Sequence, residues 1–102
     1  MAFYYIIIIV RGIERRAIFK DDPDRDWDNL LDRLSFLLPE THTLCYAWML
    51  MPDHVHFLLR RGKAGIFQLM RRLLTDYAVY FNRRPRRHGQ LFQNRYKFSI
   101  SI

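Results

Sequence analysis

The chain has 102 residues, half of them apolar and 16% aromatic, enough for one modest core and not for two. A multidomain machine is excluded, and so is a disordered tail, which lacks the bulky side chains that make burial favourable. The net charge of +7 is uneven: residues 1–59 hold six Lys/Arg against nine Asp/Glu, whereas residues 60–102 hold eleven Lys/Arg against Asp76 alone. A basic half of this kind suggests a polyanionic partner, nucleic acid before membrane, or else a solvated basic face. Most of those cations are arginines, whose forked donors pair with phosphate oxygens and stack on bases.

Cys45 is the only cysteine, so no internal disulfide is available and a cytosolic location is expected. Phe3–Val10 is the one long apolar run. It is too short to span a bilayer and lacks the flanks of a signal peptide, so no membrane partner is expected. Its β-branched and aromatic content, closed by Arg11-Gly12, predicts a first strand buried on both faces. Ala17, Ile18 and Phe19 predict a short extension of it.

The acidic cluster Asp21-Asp22-Pro23-Asp24 suits the start of a helix, with Asp24 or Asp26 as the cap. From Trp27 through Leu30, Leu31, Leu34, Leu37 and Leu38 the apolar residues recur at helical spacing, and Pro39 is expected to stop the run. Thr43–Met51 and Asp53–Arg60 read as strands paired as a hairpin about Met51-Pro52-Asp53. Ile66, Met70, Leu73, Leu74, Tyr77, Ala78 and Phe81 form a second helical stripe. Asn82–Gly89 reads as a basic loop and Leu91–Ile102 as a final strand. The order is βαββαβ, which predicts an α+β, ferredoxin-like single domain over residues 1–102: an antiparallel sheet with both helices on one face and the other face open. That fold hosts many functions, so function has to be read from side chains.

His54, Val55 and His56 follow the hairpin turn. Strand alternation points both imidazoles to one face and Val55 to the core. Two histidines so placed can share a divalent ion, although two surface histidines on a strand are also common by chance. A competent metal centre usually needs a third protein ligand. Asp53 falls on the side of Val55 unless the turn re-aims it, and His42, His88 and Gln93 qualify only if the fold brings them near.

Leu50-Met51-Pro52-Asp53-His54-Val55-His56-Phe57-Leu58-Leu59, together with Arg11–Phe19, Tyr80–Arg84 and Gly89–Lys97, resembles the single-tyrosine HUH transposases, the IS200-like group, and among them the REP-associated tyrosine transposases. The likeness runs from Arg11 to Lys97 in order and spacing. It implies a domain that acts on single-stranded hairpin DNA, dimerises through its sheet edge, and cleaves and joins strands through a 5′-phosphotyrosine in DNA transposition. It also implies His54 and His56 as ligands of a divalent metal, magnesium or manganese, with no small-molecule cofactor, and a cytoplasmic, nucleoid-associated protein.

In that family the nucleophilic tyrosine and the third ligand lie on a helix after the last strand, and nothing here matches them. Phe98–Ile102 departs from the pattern after Lys97, so a relative truncated before the tyrosine helix is expected. Asp53 stands where the family commonly has Asn, and Tyr5 where many members have His. Tyr80 and Tyr96 are the substitutes to consider as nucleophile, while Tyr77 reads as a half-buried core residue. Arg71, Arg72, Arg83, Arg84, Arg86, Arg87, Arg95 and Lys97 are expected to form one tract along a DNA backbone. Two alternatives remain: a non-catalytic single-strand nucleic-acid module, which lacks here the usual RNA-recognition signature, and a regulatory fragment that binds a complete transposase.

Overall fold

The computed structural model describes residues 5–20, 23–60, 65–84, 89–93 and 96–101. Its elements are β1 (Tyr5–Arg11), a short 3₁₀ turn (Ile13–Arg15), α1 (Pro23–Glu40), β2 (Leu44–Met51), β3 (His54–Arg60), α2 (Ile66–Asn82) and β4 (Lys97–Ser101). The strands form one sheet in the order β2-β3-β1-β4, every pairing antiparallel. This is the expected ferredoxin-like arrangement.

Alternation along the two central strands divides the sheet. Ile6, Ile8 and Val10 of β1 and Val55, Phe57 and Leu59 of β3 are buried on one face. There they meet Leu30, Leu34 and Leu37 of α1 and Leu69, Met70, Leu73, Tyr77 and Phe81 of α2, one 3.6-residue stripe from each helix. Among the described residues no helix lies over the opposite face, which carries Ile7, Ile9, His54 and His56. β2 is an edge strand with Leu44, Tyr46, Trp48, Met49 and Met51 exposed and a bulge between Cys45 and Ala47.

Several expectations are corrected. Ala17, Ile18 and Phe19 form no strand; the segment bends so that the Ile18 N–H donates to the Pro52 carbonyl at 2.8 Å and buries the Ile18 and Phe19 side chains. α1 begins at Pro23, a residue preorganised for a first helical position, so Asp24 and Asp26 lie inside the first turn and do not cap it. Asp26 is buried and accepts from the Lys20 N–H at 2.9 Å and the Tyr80 hydroxyl at 2.8 Å. Pro39 lies within the last turn. The helix runs to Glu40 and is closed by His42, left-handed with φ 53°, where the N–H groups of His42 and Thr43 donate to the carbonyls of Pro39 and Leu38, the Schellman pattern. The final strand starts only at Lys97, and Phe92 before it makes an isolated bridge with Gly12. Phe3 and Tyr4 lie outside the described residues. Tyr77 is fully buried, its hydroxyl donating to the Ile18 carbonyl.

Candidate functional site

His54 and His56 sit side by side on the open face, ring centroids 5.0 Å apart, while Val55 between them is buried in the core. Register supplies their neighbours: His54 is flanked by Arg11 and Met51, His56 by Ile9 and Met49, and Ile9 in turn by Lys97. Asp53 does not follow the side of Val55. As the second residue of a two-residue turn it is freed from strand alternation, and its Oδ1 lies 2.8 Å from Nδ1 of His54. A carboxylate in this position accepts from Nδ1–H, fixes the tautomer and leaves the Nε2 lone pair free. The hydrogen bond from His54 holds the Asp53 carboxyl below the usual carboxylate range. Burial first, then the His54 and Arg11 charges, keeps the His56 imidazole below its ordinary value, which favours its neutral form with a free lone pair.

Beside the pair opens a cleft of about 500 Å³ lined by Arg11, Arg15, Asp53, His54, Gln93 and Lys97. Its rim is assembled at Gly12. The Gly12 N–H donates to the Asp53 carbonyl, the Ile13 N–H to that of Leu91, and the Gln93 N–H to that of Arg11. A Cβ on residue 12 would stand 2.1 Å from the Arg16 carbonyl oxygen, so three strands of chain converge here only because that residue has no side chain. Three cations against one carboxylate suit an anion with several oxygens, such as a phosphodiester. Arg11 and Arg15 were not among the sequence-derived DNA contacts. Alternation along β1 puts Arg11 with Ile7 and Ile9 and could have found it; Arg15, held at φ 59°, had no such signal.

Of the third-ligand candidates, Gln93 is in the cleft. His42 is not: it ends α1 beside the start of β2, and β2 reaches His54 only at its far end, Met51. His88 lies outside the described residues. Among the described residues no group of three His, Cys, Asp or Glu side chains stands ready to hold a metal ion. Two imidazoles, one with an oriented tautomer, fit part of a metal site, and Gln93 lines the same cleft as His54.

Three described members of the expected basic tract, Arg71, Arg83 and Lys97, border two depressions that share Gln93. Lys97 belongs to the histidine cleft, while Arg71 and Arg83 border a separate groove along α2. Arg84 is within reach of the Tyr80 phenol, and half-buried Arg72 lines neither depression. Arg86, Arg87 and Arg95 lie outside the described residues. Neither Tyr80 nor Tyr96 lines the histidine cleft. The Tyr80 hydroxyl is spent on Asp26 in the helix layer, and burial with that bond raises its pKa. Tyr96 lines the α2 groove, and burial raises its pKa as well. Raised phenols are less readily activated than free ones.

These features define an antiparallel α+β domain with a basic, imidazole-bearing cleft on its uncovered sheet face. Residues 2–101 match the model of the IS200-like transposases, and the chain belongs to that family, whose members serve DNA transposition. Among solved structures it is similar to a protein from Deinococcus radiodurans R1 described as a transposase, at 20% identity and TM-score 0.72, covering 97% of this chain and 79% of that one. It is similar also to a REP-associated tyrosine transposase bound to a REP hairpin, at 13% identity and TM-score 0.76, covering 96% of this chain and 56% of that one. At these identities the likeness establishes the shared fold. No curated protein matches the chain. Among the described residues no helix is long and apolar enough to cross a membrane.

Proposed function

We propose that this chain is the strand-binding and metal-holding part of a transposase centre that acts on single-stranded hairpin DNA. The observation that carries the reading is the convergence of His54 and its hydrogen bond to Asp53 with Arg11, Arg15 and Lys97 on one cleft, His56 standing beside His54 at 5.0 Å between ring centroids. In this reading the three cations grip the oxygens of a backbone phosphate and fix its orientation. His54 and His56 would hold a divalent metal through ring nitrogens, Asp53 setting the tautomer of the first. Such an ion, when bound, polarises the phosphate and stabilises its developing charge; imidazole ligands favour manganese over magnesium. Cleavage through a 5′-phosphotyrosine then needs a nucleophile other than Tyr80 or Tyr96, neither of which lines the histidine cleft. The exposed β2 edge, with Trp48 and Met49 beside unpaired backbone, supports a homodimer in this reading. A nucleoid-associated, cytoplasmic location goes with it.

The test is incubation with labelled single-stranded hairpin DNA and magnesium or manganese, each sample divided between native and denaturing gels. A native shift without a denaturation-resistant adduct is expected. His54→Ala with His56→Ala should abolish manganese binding measured by calorimetry, and Arg11→Gln should flatten the salt dependence by about 0.7 in log–log slope, the contribution of one phosphate contact. Salt-insensitive binding, or an adduct retained after both histidines are replaced, contradicts the reading.

A further inference from the structure

β2 carries two methionines that the core does not use. Met49 and Met51 stand two residues apart, beyond the bulge between Cys45 and Ala47, so both point to one side of the sheet. Register fixes which side: Met51 pairs with His54 and Met49 with His56, and directly opposed residues of an antiparallel pair share a face. Two thioethers thus lie beside two imidazoles as a four-residue block on the uncovered face, next to the hairpin turn. Both methionines are exposed, Met49 at 57% and Met51 at 36%, whereas Met70 is fully buried in the helix layer. Cys45 is not part of the block: it pairs with Leu59, whose side chain is in the core, and so lies on the other face.

Donor chemistry sets this block apart from the oxygen donors of the cleft. A thioether is a soft, uncharged ligand that binds copper(I) and is a poor partner for manganese or magnesium, while imidazole accepts copper as well. Opposed residues have Cβ atoms about 4.5–5.5 Å apart, so an unbranched methionine reaches an ion held on the facing imidazole. The hydrogen bond from Nδ1 of His54 to Asp53 leaves Nε2 for that ion. Charge acts in the same direction. Arg11, Arg15 and Lys97 outnumber Asp53 in the adjoining cleft, and a positive surround opposes a dication about twice as strongly as a monocation.

We infer that His54, His56, Met49 and Met51 form a soft-metal site that takes copper(I), held by two ring nitrogens from β3 and two thioether sulfurs from β2. It is a second use of the same imidazoles, so while copper(I) is bound the divalent ion is excluded. Only that exclusion rests on the transposase reading above; the copper site itself stands on the block of histidines and methionines.

The test titrates the whole chain with copper(I), supplied without oxygen as a complex with a chromogenic chelator, and follows the methionine methyl signals by NMR. The chain should take the ion from the chelator, with the Met49 and Met51 methyl signals shifting and that of buried Met70 staying in place. Met49→Leu and Met51→Leu, which conserve volume, should each weaken copper(I) binding by about tenfold or more, since even an outer-shell partner of a metal costs that much when removed. Manganese binding by calorimetry should be unchanged in both variants and blocked by bound copper(I), and Cys45→Ser should alter neither ion. No transfer from the chelator, transfer that survives the two leucine substitutions together, or transfer lost in Cys45→Ser overturns the site. Loss of manganese together with copper(I) in the leucine variants also overturns it, because the methionines would then act only by holding the imidazoles. Copper(I) binding with both methionine shifts, but without manganese binding, leaves the copper site standing and overturns the divalent-metal reading instead.

Discussion

The two faces of β3 are built from adjacent residues and do opposite work. Val55, Phe57 and Leu59 point under the helices and are 2% exposed or less; His54 and His56 point to the uncovered face and are only partly covered. The first set is held by packing and tolerates no loss of volume. The second lies over a floor made by the first, and its own removal leaves no cavity. Stability and recognition are thus separated by one residue of alternation, and substitutions can test how clean that separation is.

The largest effect should come from Phe57→Ala. The ring is fully enclosed between the sheet and both helices, and its loss should lower stability by about 3–5 kcal/mol in urea unfolding. His56→Ala, the next residue on the other face, should change stability by less than about 0.5 kcal/mol and remove manganese binding. Comparable destabilisation by the two would mean that the open face is a second packing surface, and the separation would fail.

Gly12→Ala comes next, because it strikes where the two faces are joined. The added Cβ meets backbone, the Arg16 carbonyl, at 2.1 Å, and backbone here cannot give without breaking the hydrogen bonds from Gly12 to Asp53 and from Ile13 to Leu91. A loss of about 3 kcal/mol is expected, with weaker DNA binding in the fraction that still folds, since the cleft loses its rim. An unchanged melting temperature would show that the 12–16 turn is free to move.

How far these features could be read from sequence depended on whether a periodic pattern covered them. α2 was legible because its apolar stripe runs unbroken from Ile66 to Phe81, and the hairpin because Pro52-Asp53 sits between two β-rich runs. The direction of His54 and His56 followed from alternation alone. Ile18 and Phe19 misled because burial near a strand looks like a strand; their backbone is instead recruited by the Pro52 carbonyl, a contact 34 residues away that no local rule anticipates. Arg15 was invisible, and the direction of Asp53 was left open, for a related reason. Both occupy turns, where side-chain direction is set by a few dihedrals and not by a repeat. Nearness along the chain also does not give the places of the basic residues: Arg84 is within reach of the Tyr80 phenol, and Lys97 lines the histidine cleft.

The helix layer holds one polar joint, and it allows a finer comparison. Asp26, fully buried, ties α1 to α2 through Tyr80 and to the preceding loop through the Lys20 N–H. Asp26→Ala should cost about 1–3 kcal/mol, because it leaves both donors without this acceptor. Tyr80→Phe should cost less, about 1 kcal/mol, since the carboxylate keeps its backbone donor. The same joint predicts a pH dependence. Burial and the bond to Asp26 raise the Tyr80 phenol above its ordinary value of 10.0, so above that pH the folded state holds a proton that the unfolded state has released. Stability should therefore be constant below about pH 10 in this respect and fall as pH rises through the raised pKa of the folded state. Urea titrations of the unaltered chain and Tyr80→Phe from neutral to strongly alkaline pH isolate the contribution, the other phenols, Tyr96 included, being common to both. A difference between the two proteins that narrows above pH 10 places the protonated hydroxyl on Asp26. A difference that stays constant would mean that Tyr80 stabilises the helix pair through its ring alone.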